Sequence, residues 1–349
     1  MSYVMRSTEL MTVSWKDNSV VMIDQTELPN KLAFVKCTKY EQVADCIKNL
    51  VVRGAPAIGV AAAFGLALAA MKSKASSPSE LMHELETAFK TLRNTRPTAV
   101  NLFWALDRVM QKAKSQASVK AIREAVLNEA LKMAEEDIQA NRQMGSFGAS
   151  LIEDGDAILT HCNAGALATV AYGTALGVLR AAKEQGKRIN VIATETRPVL
   201  QGARLTAFEL KHDGIDVSVA PDTAVGSLIA RGMIRKVIVG ADRVLRTGHV
   251  FNKIGTYQVA VLAKKHSIPF YVAAPLSSFD LKSSPDQVTI EERSFDEVVM
   301  MGGKRVVPKG VRVFNPAFDV TPPELISGII TEKGVLTPPY DMSIKMILG

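Results

Sequence analysis

Cysteine is scarce in this chain. Its 349 residues contain three, Cys37, Cys46 and Cys162, with no C-x-x-C pair among them, which argues against a disulfide framework and against a thiolate zinc site. The motifs of common cofactor and hydrolase sites are missing too: there is no G-x-G-x-x-G, P-loop, G-x-S-x-G or H-E-x-x-H. The five histidines, His83, His161, His212, His249 and His266, lack metal-ligand spacing, so no metal is expected. The first 15 residues have no apolar core of a secretory signal, and a reducing cytoplasm is the expected compartment. One uncharged run of 18 residues, 54–71, reaches the lower limit of a membrane span. It is mostly Ala and Gly, and a helix buried in protein is expected rather than a membrane segment. The basic stretch Lys304, Arg305, Lys309 and Arg312 lacks interleaved aromatics, which points to a solvated surface and not to nucleic acid.

What is present is ordinary globular material, 47% apolar and 22% charged, with a net charge of +7 that suits anionic small molecules such as phosphate esters. The length implies about two domains. Runs over 11–15, 19–23 and 32–35 predict a small antiparallel sheet. Thr38 and Glu41 then form a T-x-x-E cap before a helix. Helices are expected over 79–92, 97–114, with Pro97 in its first turn, and 118–151. From Asp156 short apolar strands alternate with helices, the pattern of a parallel sheet covered on both faces. Strands are expected over 157–162, 189–194, 215–220, 236–240 and 268–273, with 298–300 and 311–314 as further candidates. The intervening helices run over 164–185, from Pro198, after Asp222 as cap, and over 255–265. Thr321-Pro322-Pro323-Glu324 predicts one more helix, closed by Gly334. The expected architecture is therefore α/β: a mainly helical N-terminal domain with a β lead-in, residues 1–130, and a doubly wound, Rossmann-like parallel-sheet domain, residues 131–349.

In such sheets ligands bind beyond the carboxyl ends of the strands, so the residues just after each strand are the candidates for chemistry. Cys162 follows the first strand before an Asn163-Ala164-Gly165-Ala166 helix start whose free N–H groups would favour a thiolate; the alternative is a small buried apolar residue. Asp242 ends the buried strand Val237-Ile238-Val239-Gly240-Ala241. Desolvation there would keep a proton on it, as a general acid requires, whereas a bland role would be loop capping or pairing with Arg243. Glu195 and Asp222 are weaker candidates. Arg53-Gly54-Ala55-Pro56 opens a helix beside a guanidinium, an arrangement suited to phosphate or, alternatively, to close helix packing. Arg96 before Pro97 repeats it, Asn252-Lys253 places a cation near another helix start, and Gln201 lies in the first turn after the second strand.

These residues also carry a resemblance. Arg53-Gly54-Ala55-Pro56-Ala57-Ile58-Gly59, Thr160-His161-Cys162-Asn163-Ala164-Gly165, Glu195-Thr196-Arg197-Pro198, Gln201-Gly202-Ala203-Arg204-Leu205-Thr206, Gly240-Ala241-Asp242-Arg243 and Asn252-Lys253-Ile254-Gly255-Thr256 resemble the methylthioribose-1-phosphate isomerases of methionine salvage. Their superfamily includes ribose-1,5-bisphosphate isomerases and regulatory subunits of a translation-initiation exchange factor. The likeness runs from Ile23-Asp24-Gln25 to Asn315-Pro316-Ala317-Phe318-Asp319. It implies conversion of 5-methylthioribose 1-phosphate to 5-methylthioribulose 1-phosphate, with Asp242 as proton donor and Cys162 as its partner at the sugar carbons. It implies substrate binding at Arg53, Gly54, Ala55, Arg96, Gln201, Asn252 and Lys253, no metal or organic cofactor, and a homodimer. The segment Asp24–Pro29 resembles the methylthioribose branch more than the bisphosphate branch. An isomerase of another 5-substituted ribose 1-phosphate and a non-catalytic sugar-phosphate-sensing subunit are the alternatives.

Overall fold

The computed structural model describes residues 9–96 and 100–348. Its internal contacts divide the chain into two units, Met1–Arg142 with Gly165–Gly173, and Gln143–Ala164 with Thr174–Gly349.

The first unit opens with an antiparallel sheet of β1 (Val13–Lys16), β2 (Ser19–Ile23) and β3 (Phe34–Cys37), as the β-rich runs predict. Asp17 and Asn18 both adopt left-handed backbone between β1 and β2, the turn that matches strand twist in a two-residue hairpin. Helices α1 (Tyr40–Lys48), α2 (Ala55–Lys72), α3 (Pro78–Arg93), α4 (Val100–Lys114) and the long α5 (Val119–Ala149) follow. The cap expected from Thr38 and Glu41 is shifted by one residue: Gln42 accepts the N–H groups of Thr38 and Lys39, and Lys39 is the N-cap. In α3 the Ser77 hydroxyl accepts from Glu80 N–H while the Glu80 carboxylate accepts from Ser77 N–H, a reciprocal capping box. Pro97, expected in the first turn of α4, lies outside the described residues.

Helix α2 is long and apolar enough to cross a membrane, yet 78% of it is buried inside the protein. Its small residues explain why: a Cβ on Gly59 would stand 3.0 Å from the Asn101 carbonyl oxygen, and one on Gly65 would stand 3.0 Å from Leu92. Glycine thus lets α4 and α3 approach the α2 backbone closely.

The second unit contains β4 (Ala157–Thr160), α6 (Ala175–Glu184), β5 (Asn190–Thr194), α7 (Ala207–His212), β6 (Asp216–Ala220), α8 (Val225–Ala230), β7 (Lys236–Gly240), β8 (Arg243–Leu245), β9 (Val250–Lys253), α9 (Thr256–Lys265), β10 (Phe270–Ala273), β11 (Phe279–Asp280), α10 (Asp296–Val299), β12 (Met300–Met301), β13 (Lys304–Arg305), β14 (Phe318–Thr321), β15 (Gly328–Thr331), β16 (Gly334–Leu336) and α11 (Tyr340–Leu348). The main sheet has the order β16-β15-β10-β7-β4-β5-β6, parallel except for β16. The chain runs outward from β4 through β5 to β6, then returns to place β7 on the other side of β4. The strand order therefore reverses between β4 and β7, which is where open α/β sheets bind ligands.

Five expectations fail here. No continuous helix covers 164–185; a 3-10 turn at Ala166–Ala168 precedes α6. Helical propensity is overridden because this stretch satisfies its polar groups elsewhere within the first unit: the Thr12 hydroxyl donates to Ala166 O, the Gln25 amide to Leu167 O, and Val170 N–H to Asp137. The helix expected from Pro198 begins at Gln201, because Leu200 is left-handed at φ 62. It starts as a widened turn over Gly202–Thr206 before α7. The helix expected between Thr321 and Gly334 is instead a short 3-10 turn followed by the β15–β16 hairpin, since the buried run Gly328-Ile329-Ile330-Thr331 pairs with β10. Residues 311–314 form no strand, and 298–300 divide between the end of α10 and the start of β12.

Candidate active site

Cys162 and Asp242 each lie two residues beyond the end of a strand, β4 and β7, which are paired parallel neighbours. The reversal point of the sheet thus receives one thiol and one carboxyl. Approach between the two strand exits is close: a Cβ on Gly240 would stand 2.6 Å from the Ala164 Cβ. The peptide N–H of Asp242 donates to Phe251 O at 3.0 Å, which ties the β7 exit to β9 and so to Asn252 and Lys253. Asp242 is half-buried, less than the expected burial. Arg243, its neighbour, pairs with Asp280 at 3.1 Å.

Cys162 is also half-buried, and its backbone is left-handed at φ 65. No helix begins at Asn163, so the expected helix N-terminus does not act on the thiol. Instead its peptide groups are held from the loop beyond β5: Cys162 N–H donates to the Thr196 hydroxyl at 2.9 Å, and the Thr206 hydroxyl donates to Cys162 O at 2.7 Å. Next to it, Asn163 donates its amide to Thr206 at 3.1 Å and to Glu209 at 2.8 Å. Glu209 is fully buried and shares Arg180 with Asp213.

His161 is a satisfied core histidine, as its lack of ligand spacing suggests. Burial lowers its pKa, so the ring is neutral. Its Nε2 stands 2.8 Å from Ile254 O, which can only accept, so Nδ1 accepts from the Thr194 hydroxyl at 2.6 Å. The Thr194 oxygen lies 3.2 Å from the Thr196 hydroxyl. Gly255 completes this corner at φ +101, where a Cβ would sit 2.9 Å from His161 Cε1.

Gln201 is buried, and its Oε1 has no hydrogen-bond partner among the described residues. A buried amide oxygen without a donor costs about 1–3 kcal/mol, a cost that a ligand hydroxyl would remove. Asn252 donates to the Thr256 hydroxyl at 3.0 Å, and Lys253 places its ammonium 4.8 Å from the centre of the Phe318 ring. Both lie on β9 and are buried, not in a loop before a helix. Asp319 accepts from Gly255 N–H and Tyr257 N–H at the start of α9, and burial pushes its pKa up to about 6.

The remaining predicted residues belong to the first unit. Gly54, at φ +93, is the N-cap of α2, and a Cβ there would collide with the Ala168 carbonyl oxygen. Ala55 opens the helix as expected. Arg53 donates through Nε to Gln25 Oε1 at 3.1 Å, and Gln25 in turn donates to Leu167 O at 2.7 Å, so a fixed amide orients the guanidinium. Arg96 is half-buried beyond the end of α3. Among the described residues no group of three or more His, Cys, Asp or Glu is arranged to hold a metal.

Asp222 does not cap its own helix. Its carboxylate accepts Thr196 N–H at 2.8 Å and Arg197 N–H at 2.7 Å. Thr194, Thr206 and Asp319 are not among the residues that sequence reasoning selects, since threonine in a strand or a helix carries no local signal. Thr196 follows the second strand beside Glu195, and its left-handed backbone, unusual for a β-branched residue, is visible only in three dimensions.

Residues 51–338 match the family model described as the initiation factor 2 subunit family. A protein of Thermosipho africanus named methylthioribose-1-phosphate isomerase is 54% identical over 338 residues, covering 97% of this chain and 98% of its own. The crystal structure of 5-methylthioribose 1-phosphate isomerase from Pyrococcus horikoshii OT3 superposes with a TM-score of 0.92 at 48% identity, covering 97% of this chain and 95% of its own. A structure from A. fulgidus named translation initiation factor eIF-2B, subunit delta, superposes with a TM-score of 0.89 at 52% identity, covering 97% of this chain and 99% of its own.

Proposed function

This chain belongs to the initiation factor 2 subunit family and, within it, with the methylthioribose-1-phosphate isomerases, and we propose that Asp242 and Cys162 are its catalytic pair. The chain is an aldose–ketose isomerase that converts 5-methylthioribose 1-phosphate to 5-methylthioribulose 1-phosphate in methionine salvage. The observation that supports the assignment of the pair is their exit from β4 and β7 at the point where the sheet order reverses.

The substrate dictates the chemistry. Its anomeric oxygen is esterified, so the ring cannot open to an aldehyde until the ring C–O bond breaks, and an acid must protonate the ring oxygen. Asp242 delivers that proton, and the orphaned Gln201 Oε1 accepts a sugar hydroxyl. Hydrogen then passes from C2 to C1 beside Cys162. Lys253 and Asn252 on β9, with Arg53, Gly54, Ala55 and Arg96 in the first unit, are the proposed binding residues, the cations supplying charge for the phosphate. The protein acts in the cytoplasm as a homodimer, with a small sugar phosphate as its partner and neither nucleic acid nor membrane.

The test is incubation of the purified chain alone with 5-methylthioribose 1-phosphate, followed by NMR of the product; a ketose product is expected, and an unchanged substrate overturns the reading. Ribose 1,5-bisphosphate serves as the competing substrate, and faster turnover of it would reassign the specificity. The name of the A. fulgidus structure favours a second reading, a regulatory subunit that senses sugar phosphates; binding without turnover is its signature. Turnover in deuterated water reads the hydrogen route. Deuterium at C1 marks proton transfer with Cys162 as base, and complete retention of substrate hydrogen marks hydride transfer with Cys162 stabilising the transition state.

A further inference from the structure

We propose that Thr196 is a positioning residue for the isomerisation, holding Cys162 in its left-handed backbone conformation, with Asp222 holding Thr196 in turn. This rests on the isomerase reading for its consequence in turnover, but not for its geometry.

Cys162 has φ 65 and Thr196 has φ 61. For residues other than glycine this region is disfavoured, and more so for a β-branched side chain, so each must be held by its surroundings. The restraints are directional. Asp222 accepts two consecutive peptide N–H groups, those of Thr196 and Arg197, at 2.8 and 2.7 Å, which fixes the turn after β5. The Thr196 oxygen then accepts Cys162 N–H at 2.9 Å. With that lone pair engaged, the Thr196 proton is directed to Thr194, whose hydroxyl lies at 3.2 Å and whose carbonyl oxygen lies at 3.3 Å. The Thr194 hydroxyl proton is committed to the neutral His161 ring. A second hydroxyl, Thr206, binds the other peptide group of Cys162 at 2.7 Å. Both peptide groups of the reactive residue are therefore gripped by threonines from one loop–helix segment, and the direction of the thiol is set by that segment rather than by a helix dipole.

The experiment compares Thr196→Val, which keeps the β-branched shape and loses the acceptor, with Thr196→Ser, which keeps the acceptor. Three quantities are measured: kcat and KM for 5-methylthioribose 1-phosphate, and the rate at which iodoacetamide alkylates Cys162, located by peptide mass spectrometry. Thr196→Val is expected to lower kcat at least tenfold with KM within about twofold, and to change the alkylation rate at least threefold. Thr196→Ser is expected to restore both to within about threefold of the native chain. If Thr196→Val does not fold, Thr206→Val against Thr206→Ser gives the same contrast from the opposite peptide group. Native kcat and native alkylation in the valine variant, or a serine variant as impaired as the valine one, overturns the proposal. If the native chain shows no isomerase activity, the functional reading fails, and the alkylation rates alone still decide the positioning role.

Discussion

Behind Cys162 and Asn163 sits a buried charge cluster whose removal should be felt as a large, pH-dependent loss of stability. The Arg180 side chain is 10% exposed and Glu209 is 0% exposed, 2.8 Å apart, while Asp213 lies 2.6 Å from the same guanidinium nitrogen. Arg180→Met preserves much of the apolar stem but leaves two desolvated carboxylates without a countercharge. Breaking a buried pair by removing one partner costs about 3–5 kcal/mol. For a folding unit of roughly 150–250 residues each kcal/mol is worth about 2–4 °C, so the midpoint should fall by roughly 6–20 °C.

The sign with pH follows from Asp213, whose pKa burial already raises despite the guanidinium. Without Arg180 it rises further. A carboxyl raised in the folded state costs nothing while both states are protonated, and its cost grows as pH climbs from the unfolded pKa through the folded one. The variant should thus be less impaired at pH 5 than at pH 8. Arg180→Lys retains the charge but not the fork that serves two carboxylates, and it should lose less. Urea unfolding of the native chain and both variants at the two pH values measures this. A loss below about 1 kcal/mol, or one independent of pH, would refute the reasoning.

Three further outcomes follow from the site. Asp242→Asn and Cys162→Ala are each expected to lower kcat at least about a hundredfold, the scale of a positioned proton-transfer group, with unchanged far-UV circular dichroism; near-native turnover in either removes that residue from the pair. Gly255→Ala should destabilise by at least about 1 kcal/mol, since it forces a Cβ onto a left-handed backbone and within 2.9 Å of the His161 ring; a native urea midpoint would show the corner to be permissive. Asp319 has a pKa of about 6, so ionising it costs folding free energy as pH rises from its unfolded value through 6. Asp319→Asn should therefore gain on the native chain over that interval, whatever its offset, and parallel stability profiles would contradict the shift.

The periodicities of the chain predict much of its framework. Short apolar runs mark the strands at 157–160, 190–194, 236–240 and 270–273 to within one or two residues at most ends, because a strand covered on both faces must be continuously apolar, whereas the largely exposed strand 216–220 is marked by its alternating Val217 and Val219. The Ala/Gly run of α2 reads correctly as a buried helix for a related reason: small side chains without charge neither need water nor keep neighbours away. Local pattern fails at 164–174 and 321–336, where helix-compatible sequence gives way to a loop and a hairpin. There the partners that satisfy the backbone lie far along the chain, and local propensity, worth tenths of a kcal/mol per residue, cannot compete with them.

The same division holds at the site. Residue type and position after a strand or near a helix start make candidates of Cys162, Asp242, Gln201, Asn252, Lys253 and the Arg53-Gly54-Ala55 segment, because such positions are local features, while the roles proposed for them come from the resemblance. Tertiary structure decided what holds them: that Asp222 anchors the turn at Thr196 instead of capping a helix, that two threonine hydroxyls grip the peptide groups of Cys162, and that His161 is locked between Thr194 and Ile254. A hydrogen bond is specified by a distance and a direction between groups that here stand as many as 93 residues apart, and only the folded backbone fixes either.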